Sequence, residues 1–276
     1  MFCTKKDPLI DLLKEYGYMP VALPRQGINP MDILEEQGKA YRKTTKISKI
    51  FKGTDDIRIP RKPEAKNAID AIKGKRTGKV DSKLGISILE KWLKALGGNS
   101  ANVKSSVEKA HRLIFEFNAP KVREVDWADL DMFLNNASIN EMAKGYLDKI
   151  LKNELYVIVS TLESNSFSIY AYDESDNNIT GDIGLQDVAK FELKSNHSHK
   201  NRTRIEYKGE DLVVFGIQAA QLKLTKSASG ETIFKIIETK DKVVRSSQSL
   251  REYTEELNLN LLDTNKNFLE IENEIE

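Results

Sequence analysis

LYVIVSTLESNSFSIYAY, residues 155–172, is the stretch from which the fold is read. Its first half, Leu155 to Leu162, is a mostly apolar run of the kind that fills a buried central strand. Its second half, Ser166 to Tyr172, alternates, with Phe167, Ile169 and Ala171 on one side. Alternation with a period of two predicts a strand with one wet face and one apolar face. Three other stretches share it. In Val80–Ile88 the residues Val80, Ser82, Leu84, Ile86 and Ile88 oppose Asp81, Lys83, Gly85 and Ser87. In Ser106–Phe117 the residues Val107, Lys109, His111, Leu113, Phe115 and Phe117 alternate with Ser106, Glu108, Ala110, Arg112, Ile114 and Glu116. In Leu185–Lys194 the residues Leu185, Ala189, Phe191 and Leu193 oppose Gln186, Lys190, Glu192 and Lys194. In chain order these segments are expected to pair as two units, 80–117 and 166–194.

Working outward, Leu212–Gln218 reads as a second buried strand and Thr232–Glu238 as the last one. Tyr18–Leu23 is a strand that Pro20 and Pro24 confine to an edge. Asp7-Pro8 opens a short helix that Gly17 ends. Helical spacing also marks Leu89–Leu96, which stops at Gly97-Gly98, together with Trp127–Leu134 and Ser138–Leu151. The basic segment 61–79 is read as a loop or a loosely held segment. The fold class expected is α+β, with a twisted, largely antiparallel central sheet and surrounding helices.

Apolar residues make up 39% of the 276 and charged residues 31%, so the chain is expected to be globular and soluble. The opening residues, MFCTKKDP, contain no apolar signal region. No uncharged apolar stretch approaches the roughly 18 residues of a spanning helix, so any entry into a bilayer is by strands. The lone Cys3 is consistent with a reducing compartment.

Charge is unevenly spread. Residues 252–276 carry eight acids and one base, net −7, which leaves net +8 on residues 1–251. A basic body with an acidic tail points to a tail that covers something, and to a body drawn to anionic surfaces once uncovered. Within the tail, Leu250, Leu257, Leu261, Phe268, Ile271 and Ile275 form an apolar stripe at helical spacing. An ordinary packing helix or a coiled-coil strand has the same pattern.

Sites of catalysis and metal binding find little support. Gly74-Lys-Arg-Thr-Gly78-Lys79 is one residue short of a phosphate loop, and Val80 stands where Ser or Thr is needed. His197 and His199 lie in a polar stretch with no cysteine nearby. Cys3 has no pocket of its own, and no Gly-x-Ser-x-Gly occurs. No enzyme, catalytic residue, cofactor or metal is therefore expected. The segment 61–79 has seven bases against two acids but no interleaved aromatic residues, so nucleic acid is not an expected partner.

Several stretches together resemble the gasdermin pore-forming family, most closely its bacterial branch. They are KLGISILEKWLKALGGN (83–99) followed by LIFEFNA (113–119), LYVIVSTLESNSFSIYAY (155–172) followed by LVVFGIQAAQL (212–222), and the opening CTKKDPLIDLLKEYGYMPVALPR (3–25). The resemblance covers nearly the whole chain. It implies a pore-forming domain over 1–245 and a protease-accessible linker with an autoinhibitory tail over 246–276. It implies that two hairpins refold into the membrane, with Ile86, Ile88, Leu113, Phe115, Phe167, Ile169, Phe191 and Leu193 as candidate lipid-facing residues. A ring of protomers must then close, because open sheet edges are not tolerated in lipid. Soluble half-buried strands have the same alternation.

The resemblance further implies cleavage by a protease encoded nearby, with Arg245, Leu250 and Arg251 as candidate positions in the serine-rich linker. Leu257, Leu261, Phe268 and Ile271 become the tail's inhibitory contacts, and Cys3 a lipidation site carrying palmitate. Partners implied are anionic membrane lipids and further copies of the chain. The protein would be cytoplasmic when latent and at the inner membrane after cleavage, causing cell death in antiphage defence. A non-enzymatic nucleic-acid or protein binding module, and a structural protein with a coiled-coil tail, are the competing classes.

Overall fold

The computed structural model describes residues 8–37, 40–54, 57–67, 73–77, 92, 112–117, 119–172, 191–196 and 202–237. Among them are thirteen strands: β1 (Met19–Arg25), β2 (Asp32–Gln37), β3 (Ala40–Lys46), β4 (Phe51–Lys52), β5 (Lys66–Asn67), β6 (Lys73–Thr77), β7 (Arg112–Phe117), β8 (Lys121–Glu124), β9 (Ser138–Ile139), β10 (Leu155–Tyr172), β11 (Phe191–Asn196), β12 (Arg202–Lys226) and β13 (Thr232–Ile237). The helices are α1 (Pro8–Glu15), α2 (Ile47–Ile50), α3 (Trp127–Asn136) and α4 (Gly145–Leu151). The fold is α+β with a large antiparallel sheet, whose main path runs β1-β12-β10-β2-β3. The chain divides into two compact units, 1–26 with 67–121 and 162–215, and 27–66 with 122–161 and 216–276.

In the first unit, α1 opens at Pro8 and is stopped by Gly17, two residues past its last turn, whose φ is +79°. The amide of Gly17 donates to Lys14 O at 2.9 Å and that of Tyr18 to Leu13 O at 2.8 Å, the paired bonds of a Schellman stop. β1 lies at the end of the sheet path beside β12, where its prolines cost no ladder bond. β7 pairs with β10 and β6, and β11 pairs with β12.

These pairings differ from the expected chain-order units. The second alternating segment pairs with the third, and the fourth pairs with β12 instead of the third. Periodicity fixes which face of a strand is apolar but is silent about its neighbour. The long strands β10 and β12 supply the partners, and nothing in the alternation of short segments announces them. Lys73–Thr77, expected in a loop, is the strand β6, because backbone pairing to β7 needs no apolar side chain.

A second correction concerns Ser166–Tyr172. Ser166 and Ser168 are buried, as are Phe167 and Ile169, so this part of β10 has no wet face. The Ser164 hydroxyl donates to Ser166 O at 2.7 Å and accepts from Ser166 N at 3.1 Å. Ser164, just before the segment, is buried with its hydroxyl satisfied by the local backbone, and a polar letter in such a run does not by itself mark solvent.

In the second unit, Leu155, Val157 and Val159 of β10 join Ile33, Ile47, Phe51 and Leu222 in one core, with Leu130, Phe133 and Leu134 of α3 packed into it. Asp126 caps α3, its carboxylate accepting from Ala128 N at 2.8 Å and Asp129 N at 3.1 Å. Phe51 and Phe234 meet edge-on at 4.9 Å. The helix expected over Ser138–Leu151 is realised only from Gly145. Ser138 and Ile139 instead pair with Lys52 and Phe51, and a single 3-10 turn over Glu141–Ala143 follows, capped by Asn140. The side chain of Asn140 competes with a continuous helix for the local amides.

The turn between β1 and β2 is held by charge. Asp32, 1% exposed, takes the Lys43 ammonium at 2.8 Å and the amide of Asn29 at 2.8 Å, while Lys43 also donates to Gly27 O. Removing either partner would leave the other charge buried or orphaned.

One carboxylate of this unit is less well served. Asp131 on α3 has its Oδ1 buried with no hydrogen-bond partner. Burial pushes its carboxyl above the ordinary 3.8, outweighing the backbone of Ile236 and the charge of Lys235, which pull it down. A carboxyl whose folded-state value is raised costs stability once pH climbs above its unfolded value. Asp131→Asn should therefore unfold at higher urea than the parent at neutral pH. The difference should close as pH falls toward 3.8, where both states become protonated. Urea midpoints measured across this range provide the check, and a pH-independent difference would contradict it.

Candidate functional site

The sequence-predicted lipid-facing residues that are described fall on paired strands of the first unit. In the β7–β10 ladder, Leu113 faces Ala171, Phe115 faces Ile169 and Phe117 faces Phe167. In the β11–β12 ladder, Phe191 faces Tyr207 and Leu193 faces Ile205. Ile86 and Ile88 lie outside the described residues, as do Cys3, Arg245, Leu250, Arg251, Leu257, Leu261, Phe268 and Ile271.

Phe115, Phe117, Phe167 and Ile169 are all buried in protein. Phe117 and Phe167 belong to a cluster of five rings with Trp92, Tyr207 and Phe215. Trp92 and Phe215 are 4.9 Å apart, Phe117 and Phe215 5.0 Å, Phe167 and Phe215 5.5 Å, and Phe167 and Tyr207 5.6 Å. Tilted and edge-on pairs at these distances are attractive beyond the area they bury. Trp92 is 6.3 Å from both Phe117 and Phe167, and its indole N–H donates to Val21 O on β1 at 2.7 Å. That bond is what allows a whole indole to be buried.

Tyr207 shows why β12 carries a glycine nearby. A Cβ on Gly209 would run into the Tyr207 ring and hydroxyl, so only glycine lets the ring lie there. Burial first, and the charge of Asp211 second, push the Tyr207 phenol above its ordinary value of 10.0. The phenol therefore stays neutral at physiological pH.

Sequence reasoning placed Phe117 and Phe167 on apolar faces but missed Trp92, Tyr207 and Phe215 as their partners. Phe215 lies inside the apolar run 212–222, so its burial was legible. Nothing in the sequence joins Trp92 to Val21, which is 71 residues away.

The rest of the described surface offers little chemistry. No group of His, Cys, Asp and Glu that could hold a metal occurs among the described residues. A cavity of about 120 Å³ in the second unit, lined by Met31, Lys46, Ile47, Ser48, Ile59 and Lys62 among others, falls well below the ~300 Å³ at which small-molecule pockets begin. Among the described residues no helix is long and apolar enough to cross a membrane, a finding that leaves crossing by strands open.

A family model described as the Bacterial Gasdermin Family matches residues 21–231. Gasdermin bGSDM of a Desulfuromonadales bacterium is 30% identical over 223 residues, which cover 80% of this chain and 83% of that protein. Gasdermin bGSDM of Gillisia limnaea is 27% identical over 271 residues, covering 91% of this chain and 98% of that protein. A solved bacterial gasdermin from Bradyrhizobium tropiciagri aligns over 84% of this chain and 92% of its own with a TM-score of 0.52 and 17% identity, a likeness of fold. With its sheet, its aromatic core and most of its length accounted for, the chain belongs to the bacterial gasdermin family, a family of pore-forming proteins.

Proposed function

We propose that the chain is a latent pore-former, released when a protease removes its acidic tail, and that the freed body assembles into large β-barrel-type pores in the inner membrane. Family membership carries this reading. The cell death that follows would serve antiphage defence. The latent form would be cytoplasmic, its partners being an activating protease encoded nearby, anionic lipids and further copies of the chain. No enzymatic role is part of the proposal.

Two observations support the mechanism. The apolar faces of β7 and β10 are buried against aromatic side chains, so an apolar surface already exists that lipid could cover after unpacking. The charge split leaves a body of net +7 after cutting at Arg245, with 41 bases and 34 acids, which favours an anionic bilayer.

Three outcomes test the proposal. Dye-loaded anionic vesicles should stay sealed with the intact chain and leak with chains ending between Arg245 and Arg251. Sealed vesicles with every such truncation would end the latency idea. Inhibition by the tail should rest on Leu257, Leu261, Phe268 and Ile271, each contributing roughly 1.5–3 kcal/mol if buried, against under about 1 kcal/mol for an exposed ion pair. Phe268→Asp or Leu261→Asp should therefore leak without proteolysis, and neutralising Glu272, Glu274 and Glu276 should matter less; a leakage assay with the opposite order refutes this account. Finally, Cys3 should carry palmitate. One acyl chain anchors only marginally, so the basic body would supply the second attraction. Intact mass of the fragment 1–5 from the native host should include the acyl group, and its absence removes lipidation from the proposal.

A further inference from the structure

We propose that Trp92 is an internal latch, separate from the tail, whose withdrawal sets the rate at which the first unit unpacks once the tail has gone. The inference rests on the pore-forming reading above. It begins from position. In sequence, Trp92 lies between the alternating segments 80–88 and 107–117, in the middle of a stretch expected to enter the membrane. In the structure it is 1% exposed, the largest fully buried side chain among the described residues.

Its contacts reach four strands of the first unit. Phe117 belongs to β7, Phe167 to β10, Phe215 to β12 and Val21 to β1. The aromatic faces of β7 and β10 cannot turn toward lipid while the indole lies against both. Apolar packing alone would let the rings slide apart gradually. The 2.7 Å bond to Val21 O is directional, and breaking it inside a core leaves a carbonyl without a donor until water or another strand reaches it. A single side chain packed against β7, β10 and β12 is thus tied to the edge strand by a contact that is either made or lost.

The tail stripe and this latch act at different moments. Loss of the tail removes the cover, and loss of the Trp92 contacts lets the strands go. Contacts absent from the transition state slow a transition by their full strength. Trp92→Phe keeps a ring but drops the bond to Val21, so leakage by the cleaved protein should quicken about threefold to tenfold. Trp92→Ala also leaves a cavity, and should quicken it on the order of a hundredfold, with slow leakage even before cleavage.

The test uses the full chain, cleaved or intact, on dye-loaded anionic vesicles, with Trp127→Phe as background so that Trp92 is the only tryptophan. Its emission should be that of a buried indole in the intact protein and should change no later than dye release after cleavage. Unchanged Trp92 emission through leakage, or a Trp92→Phe rate equal to the parent, overturns the latch while leaving pore formation standing. No leakage from the cleaved parent overturns pore formation and the latch together. If Trp92→Ala fails to fold by circular dichroism, the phenylalanine variant and the emission trace decide the matter.

Discussion

A cluster of five aromatic rings centred on Phe215 is the interaction on which the first unit depends. Phe215 touches Trp92, Phe117 and Phe167 at ring distances between 4.9 and 5.5 Å, and Tyr207 closes the group from the far side of Phe167. The rings come from four separate stretches of the chain, Tyr207 and Phe215 sharing β12, so the cluster cannot form until distant segments have met. Once formed, it positions β7 against β10, holds Trp92 against β1 and requires glycine at position 209. A core made this way is strong in sum, yet each pairwise contact is small, and it can be taken apart if another apolar environment is offered.

The second unit is built on different terms. Its core is mainly aliphatic, with α3 laid into it by Leu130, Phe133 and Leu134. Its turn at 27–31 adds to the buried Ile28 and Met31 an ion pair between the buried Asp32 and Lys43. Buried charges tolerate loss of a partner badly, so such a turn resists piecemeal opening.

The bland and the functional readings of the alternating strands are reconciled by this packing. Strands with one apolar face need something to cover it, and the chain supplies its own rings. For the described strands, the soluble reading therefore accounts for the state observed. Family membership is what makes the second use of the same faces a reasonable proposal. In the proposed activity charge would work alongside, since a basic body would be drawn to an anionic surface once an acidic tail had left.

By itself the sequence determined local matters. Leu155–Leu162 and Leu212–Gln218 were legible as buried strands, Pro20 and Pro24 as the mark of an edge, Trp127–Leu134 as a helix, and Gly17 as a stop, because each depends on residues close together in the chain. The resemblance to gasdermins was legible for a related reason, since it lies in the order of such local patterns. Only the tertiary structure decided that 112–117 pairs with 167–172, that 191–196 pairs with β12, that Ser166 and Ser168 are dry, and that Trp92 finds Val21. Those outcomes turn on which of several equally apolar partners arrives, and period and composition are identical for all of them. What separates them is fit: the indole N–H needs a carbonyl at the right depth, and the Tyr207 ring needs a neighbour without a side chain.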